Sequence, residues 1–127
     1  MLVEDNVINQ EMAKMQLSLY GLSCDVANDG QECIEKMLEV SKPYDIVLMD
    51  IQMPRLDGYA ATKMIRCGDA GSVHKDIPIV ALTAHVSLDE QQLAHAVGMN
   101  SHINKPVESV KLVTEIYRLL SSYKTAA

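Results

Sequence analysis

Two short runs, Ile46-Val47-Leu48-Met49 and Ile79-Val80-Ala81-Leu82, are apolar at every position. A strand with one face in water alternates apolar and polar residues, so a strand without alternation has to be covered on both faces, as in a parallel sheet between two layers of helices. The composition suits that arrangement. With no Trp and no Phe, the core has to come from Leu, Ile, Val, Ala and the eight Met. At 127 residues and 48% hydrophobic, the chain is the size of one domain with one core.

The rest of the chain alternates strand and helix signals without a repeat or a low-complexity segment. Met1 to Val3 is a strand stub ending in Glu4-Asp5-Asn6. Ile8, Met12, Met15 and Leu19 then fall at helical spacing over Val7 to Leu19, with Gly21 as the stop. Cys24 to Ala27 reads as a strand, and Cys33, Ile34, Met37 and Leu38 mark a second helix that ends before Pro43. After Ile46 to Met49, Asp50 stands at the carboxyl end of the strand, and a third helix runs from Tyr59 to Cys67. The polar stretch Gly68 to Asp76 is expected to be the most mobile loop. Ile79 to Leu82 ends at Thr83-Ala84 and is followed by a helix over Leu88 to Val97 capped by Gly98. A short strand His102 to Asn104 and a helix over Val110 to Leu120, with Val110, Val113, Ile116, Tyr117 and Leu120 on one face, complete the chain. Five strands alternating with five helices predict an α/β doubly wound (βα)5 flavodoxin-like three-layer sandwich, with a parallel sheet in the order 2-1-3-4-5.

Charge and cysteine usage narrow the function. Seventeen acidic against eleven basic residues leave a net charge of -6, which repels phosphate backbones and argues against nucleic-acid binding. Cys24, Cys33 and Cys67 are odd in number and widely spaced, as expected of free thiols in the cytoplasm. The longest apolar run, Ile77 to Ala84, falls far short of the roughly 18 residues a membrane span needs, so no membrane contact by this domain is expected. The acidic N-terminus is unlike a signal peptide. The four histidines and three cysteines lack zinc-ligand spacing. Met12, Met15 and Met37 are expected to be core packing, although Val7, Ile8 and Met15 could equally form an apolar patch for a partner helix.

In a doubly wound sheet the ligand site lies beyond the carboxyl ends of the strands. The residues there are Glu4, Asp5, Asp50, Thr83 and Lys105. Taken singly, each has a plainer use: the acids could cap the first helix, Thr83 end a strand and Lys105 make an ion pair. Their joint occurrence at successive strand ends points to a site. Three carboxylates at one rim repel each other and need Lys105 and a hard divalent cation to offset them, Mg2+ better than Ca2+ because few carboxylates converge. A carboxylate beside such cations can act as a nucleophile toward a phosphoryl group, with Thr83 hydrogen-bonding the transferred group.

Val3-Glu4-Asp5-Asn6, Leu48-Met49-Asp50-Ile51-Gln52-Met53-Pro54 with Asp57-Gly58, Ala81-Leu82-Thr83-Ala84 and Lys105-Pro106-Val107 resemble the motifs of response-regulator receiver domains over essentially the whole chain. The pattern Glu4 to Gln10, with Gly98-Met99, is most similar to the C-terminal receivers of hybrid sensor histidine kinases. The resemblance implies that Asp50 accepts phosphate from a phosphohistidine. It implies that Asp5, Asp50 and the backbone carbonyl of Gln52 bind Mg2+ (or Mn2+), and that Glu4 reaches the metal through water. Lys105 would bind the phosphoryl oxygens, Thr83 would be the switch hydroxyl beside small Ala84, and the Lys105-Pro106 bond would be cis.

Departures from the family pattern carry their own expectations. His102 replaces the usual aromatic switch residue, which predicts altered coupling to the face of the fourth and fifth helices. Gln52 and His85 occupy the positions that influence phosphoryl lifetime. The stub of a first strand suggests that residues 1–127 are a single receiver cut from a longer hybrid kinase, and the short C-terminal end leaves no room for an output module. Partners would then be the kinase's phosphohistidine domain and a histidine phosphotransfer protein. The domain would be monomeric in isolation, and the parent could be membrane-anchored. The domain would catalyse its own phosphorylation, while the enzyme proper would be the parent kinase. A free-standing single-domain regulator is the runner-up. A haloacid-dehalogenase-like phosphatase would need a second Asp where Gln52 stands, and a pseudo-receiver would lack one of the acids or the lysine.

Overall fold

The computed structural model describes residues 1–51, 56–84, 87–105 and 107–126, with side chains as far as Ser121. The elements follow the predicted order: β1 (Leu2–Val3), α1 (Val7–Ser18), β2 (Val26–Ala27), α2 (Gly30–Glu39), β3 (Val47–Asp50), α3 (Gly58–Arg66), β4 (Ile79–Thr83), α4 (Leu88–Val97), β5 (Ser101–Asn104) and α5 (Ser109–Ala126). All strands pair in parallel in the order β2-β1-β3-β4-β5.

The pleat sends successive residues to opposite faces, and this divides the core in two. Val3, Met49 and Ala81 pack with Cys33, Ile34 and Met37 of α2, Ala61 and Ile65 of α3, and Ala94 and Val97 of α4. Leu2, Leu48, Val80 and Leu82 pack on the other side with Leu17 of α1 and Leu112, Ile116 and Leu119 of α5. The full burial of β3 and β4 explains why their sequences lack alternation.

Helix starts are set by side-chain caps: Asn6, Asp29, Asp57 and Ser87 each accept a hydrogen bond from a backbone N–H three residues on. The cap of α1 is therefore Asn6, not Glu4 or Asp5. Gly98 ends α4 at φ 106°, a conformation that favours glycine.

Three expectations are corrected. The residues that mark α1 by their spacing point outward: Ile8 is 70% and Met15 68% exposed, and Val7, Met12 and Leu19 are exposed as well. Of the three methionines expected in the core, only Met37 is buried. The inner side of α1 is instead Gln10 and Leu17, with Ala13 partly buried. On α5 the buried face runs through Leu112, Val113, Ile116 and Leu119, while Val110 and Tyr117 are exposed.

The segment Gly68 to Asp76 is not a free loop. It contains a 3-10 turn at Ser72–His74, and His74 is fully buried. The His74 Nδ1–H donates to the carbonyl of Ala70 at 3.0 Å, and its Nε2 accepts from the backbone N–H of Tyr44 at 3.1 Å, an arrangement that fixes the orientation of the ring. Beside it Arg66 donates to the carbonyls of Gly98 and Lys75 and to Asn100 Oδ1, which also accepts from the N–H of Ile79 at 2.8 Å. These bonds tie together the segments entering β3, β4 and β5 at the amino end of the sheet.

Candidate functional site at the carboxyl rim

Parallel pairing brings the ends of β1, β3 and β4 side by side, because Val3 lies opposite Met49 and Asp50 opposite Leu82. Glu4 and Asp5 therefore stand next to Asp50, with Thr83 one strand further. The backbone N–H of Lys105 bonds the Thr83 carbonyl at 2.8 Å, which carries the lysine over the rim. Its Nζ lies 3.2 Å from Asp50 Oδ2 and 3.3 Å from Glu4 Oε2. Glu4 and Asp50 are 2% and 5% exposed, whereas Asp5 and Ala84 face solvent.

The main chain of Gly58 packs closely against Asp50 and Ile51. The Gly58 N–H donates to the Ile51 carbonyl at 3.0 Å, and a Cβ on Gly58 would lie 2.6 Å from the Asp50 carbonyl oxygen. Only glycine allows that approach.

Two buried carboxylates share one lysine, and their protons divide unequally. Burial pushes the Asp50 carboxyl up to about 7, and the hydrogen bond and charge of Glu4 push in the same direction against Lys105. For Glu4, burial works upward but is outweighed by hydrogen bonds from Asp50 and Asn9 and by Lys105, so it lies below the usual carboxylate range. The two acids titrate as a coupled pair, with Asp50 shifted upward and Glu4 downward. Among the described residues, Glu4, Asp5 and Asp50 offer one carboxylate oxygen each within 4.8 Å of one another. An all-oxygen, net-negative donor set of this kind fits a hard divalent cation.

The rim opens into a cavity of about 800 Å³ whose wall includes all five strand-end residues and Ala84. Glu90 and Tyr59, neither of them singled out in the sequence, also line it. Glu90 Oε2 lies 3.5 Å from the Thr83 hydroxyl; its position one turn into α4, behind the Ser87 cap, is the only sequence signal it has. Asn9 belongs to the quoted Glu4 to Gln10 pattern but had no role there; its Nδ2 donates to Glu4 Oε1 at 2.7 Å. His102 is exposed on β5 and, with Thr83 and Glu90, borders a void of only about 10 Å³. Gln52, His85 and Pro106, and with Pro106 the expected cis bond, lie outside the described residues.

A doubly wound sheet with an acidic, lysine-bridged carboxyl rim defines a phosphoacceptor-type α/β domain. The chain belongs to the response regulator receiver domain family, whose profile matches residues 1–117. It is similar to the osmosensing histidine protein kinase SLN1 of Saccharomyces cerevisiae, 38% identical over 98% of this chain and 10% of that protein. It is also similar to histidine kinase 1 of Arabidopsis thaliana, 31% identical over 99% of this chain and 13% of that protein. The chain thus spans about a tenth of the length of these relatives. Among solved structures, the receiver domain of sensor histidine kinase PA1611 from Pseudomonas aeruginosa, which holds a magnesium ion in its active site cleft, is 32% identical and superposes with a TM-score of 0.83 over 94% of each chain. The chemotaxis protein CheY4 of Vibrio cholerae is 26% identical with a TM-score of 0.82 over 92% of this chain and 93% of that one. Among the described residues, no helix is long and apolar enough to cross a membrane.

Proposed function

We propose that this receiver takes a phosphoryl group from a phosphohistidine onto Asp50, within a cytoplasmic phosphorelay, and passes it to a histidine phosphotransfer protein. The observation that carries the reading is the placement of Asp50 at the mouth of an open cavity with Lys105 Nζ at 3.2 Å and two further carboxylates beside it. An Asp50 Oδ forms the new O–P bond as the N–P bond of the phosphohistidine breaks. The electron pair of that bond leaves with the imidazole nitrogen, which takes a proton from solvent. Asp5, Asp50 and the Gln52 carbonyl would hold Mg2+, and Glu4 would contact it through water. Mg2+, when bound, would draw charge from the transferring oxygens. Lys105, released from Asp50 as the acyl phosphate forms, pairs with a phosphoryl oxygen, and the Thr83 hydroxyl donates to another.

The exposed apolar residues of α1, Val7, Ile8, Met12 and Met15, support a docking role. They begin directly beside Asp5, so a helix of a phosphotransfer protein seated there brings its histidine to the rim. Similarity to histidine kinases many times longer supports a hybrid kinase as the parent.

Intact mass after incubation with acetyl phosphate and Mg2+ tests the acceptor. The expected result is one phosphoryl adduct on the parent and none on Asp50→Asn; no adduct on the parent, or an equal one on the variant, overturns the reading.

A further inference from the structure

Glu4 is held from both sides. Lys105 Nζ takes Oε2 at 3.3 Å, and the Asn9 side chain donates to Oε1 at 2.7 Å. The Glu4 main chain is held as well, since Gln10 Nε2 donates to its carbonyl at 2.6 Å and to Asn28 Oδ1 at 2.8 Å. Asn9 can reach back because side chains in the first turn of a helix lean toward its N-terminus. Asn6 caps α1 by accepting from the Asn9 N–H at 3.1 Å, so Asn9 is the third residue of the helix, the place from which a side chain folds back over the chain entering it. A carboxylate only accepts, so the amide must present its NH2 to Glu4.

We infer that Asn9 is a positioning residue for the metal site: it fixes the Glu4 carboxylate so that the acidic rim is preset to receive Mg2+. The inference rests on the receiver reading. Asn9 is exposed on α1, so its replacement removes the grip on Glu4 without emptying a buried position. Outer hydrogen bonds that orient a metal site are worth about 10- to 100-fold in affinity when removed.

Calorimetric titration of Mg2+ into the full chain, at one pH and ionic strength, compares the parent with Asn9→Leu, which has similar bulk and no donor, and with Asn9→Gln, which keeps the amide on a longer arm. We expect Asn9→Leu to bind Mg2+ about tenfold more weakly and Asn9→Gln to regain most of the loss, with urea midpoints in chelator unchanged for both. A purely structural residue would shift the urea midpoint and leave the Mg2+ constant alone. Binding by Asn9→Leu within about twofold of the parent, or equal weakening in both variants, overturns the positioning role while leaving the receiver reading intact. A parent that takes up no Mg2+ brings down both.

Discussion

The two ends of the sheet use the same kind of residue to opposite effect. At the amino end, His74 and Arg66 are polar groups whose hydrogen-bonding atoms meet mostly main-chain partners, each satisfied locally and each holding a segment in place. At the carboxyl end, Glu4 and Asp50 are buried as His74 is but face each other across one lysine, and burial beside Glu4 pushes up the carboxyl of the acid that has to react. Polar burial stabilises where the main chain completes the bonding, and creates reactivity where like charges are left to compete.

If that contrast holds, amino-end variants lose stability and keep chemistry, while carboxyl-end variants do the reverse. His74→Ala carries the largest stability effect: it removes two hydrogen bonds of a fully buried ring and leaves a cavity, for an expected loss of about 2–4 kcal/mol in urea unfolding with the acetyl phosphate adduct retained. A loss under about 0.5 kcal/mol would show that the 3-10 turn is not a clasp. Arg66→Met, with its bonds to Gly98, Lys75 and Asn100 gone, is expected to lose about 1–2 kcal/mol with the same retention of the adduct.

Lys105→Met acts in the other direction. It removes the shared cation, so the adduct yield falls steeply, whereas stability at pH 6 changes little because Asp50 can hold its proton. The metal-free parent carries a pH signature of the same competition. The folded Asp50 binds its proton more tightly than the unfolded one, so its contribution to stability is greatest at low pH and is lost as pH rises through about 7. Glu4, held below the usual range, contributes oppositely and only at more acidic pH. Urea midpoints in chelator should therefore fall between about pH 5 and 8, and Mg2+, which requires both acids ionised, should flatten that fall. A midpoint that rises over this window would contradict the upward shift of the Asp50 carboxyl.

The smallest effect is expected at His102, which lies outside both ends. Because it is exposed on β5, His102→Tyr should change stability by less than about 0.5 kcal/mol while enlarging the phosphorylation-dependent shifts of α4 and α5 resonances. Equal shifts in the variant and parent would remove any special role for this position.

Much of the fold was legible because β3 and β4 are covered on both faces, a condition that leaves its mark on every residue of a strand. The strand-end acids and Lys105 were legible for the same reason, since parallel order dictates where each strand ends. The face of α1 was not. Spacing reveals a stripe but not which way it turns, and here the apolar stripe faces solvent while Gln10 faces in to serve the main chain of Glu4. The clasp at His74 escaped for a related reason: its partners are backbone groups of Ala70 and Tyr44, which carry no signature in side-chain identity. Asn9 and Glu90 reach the site from helix starts rather than strand ends, and the rule that located the other residues does not look there.

Gly58 deserves a last consequence. With a Cβ there 2.6 Å from the Asp50 carbonyl, the carrier of the nucleophile is located by a hydrogen atom acting as a spacer. A single added methyl would leave every reacting group in the sequence intact and yet move the bench on which they are clamped. Position 58 thus sets where the main chain that carries Asp50 can lie: a methyl there has to push against Asp50 and Ile51.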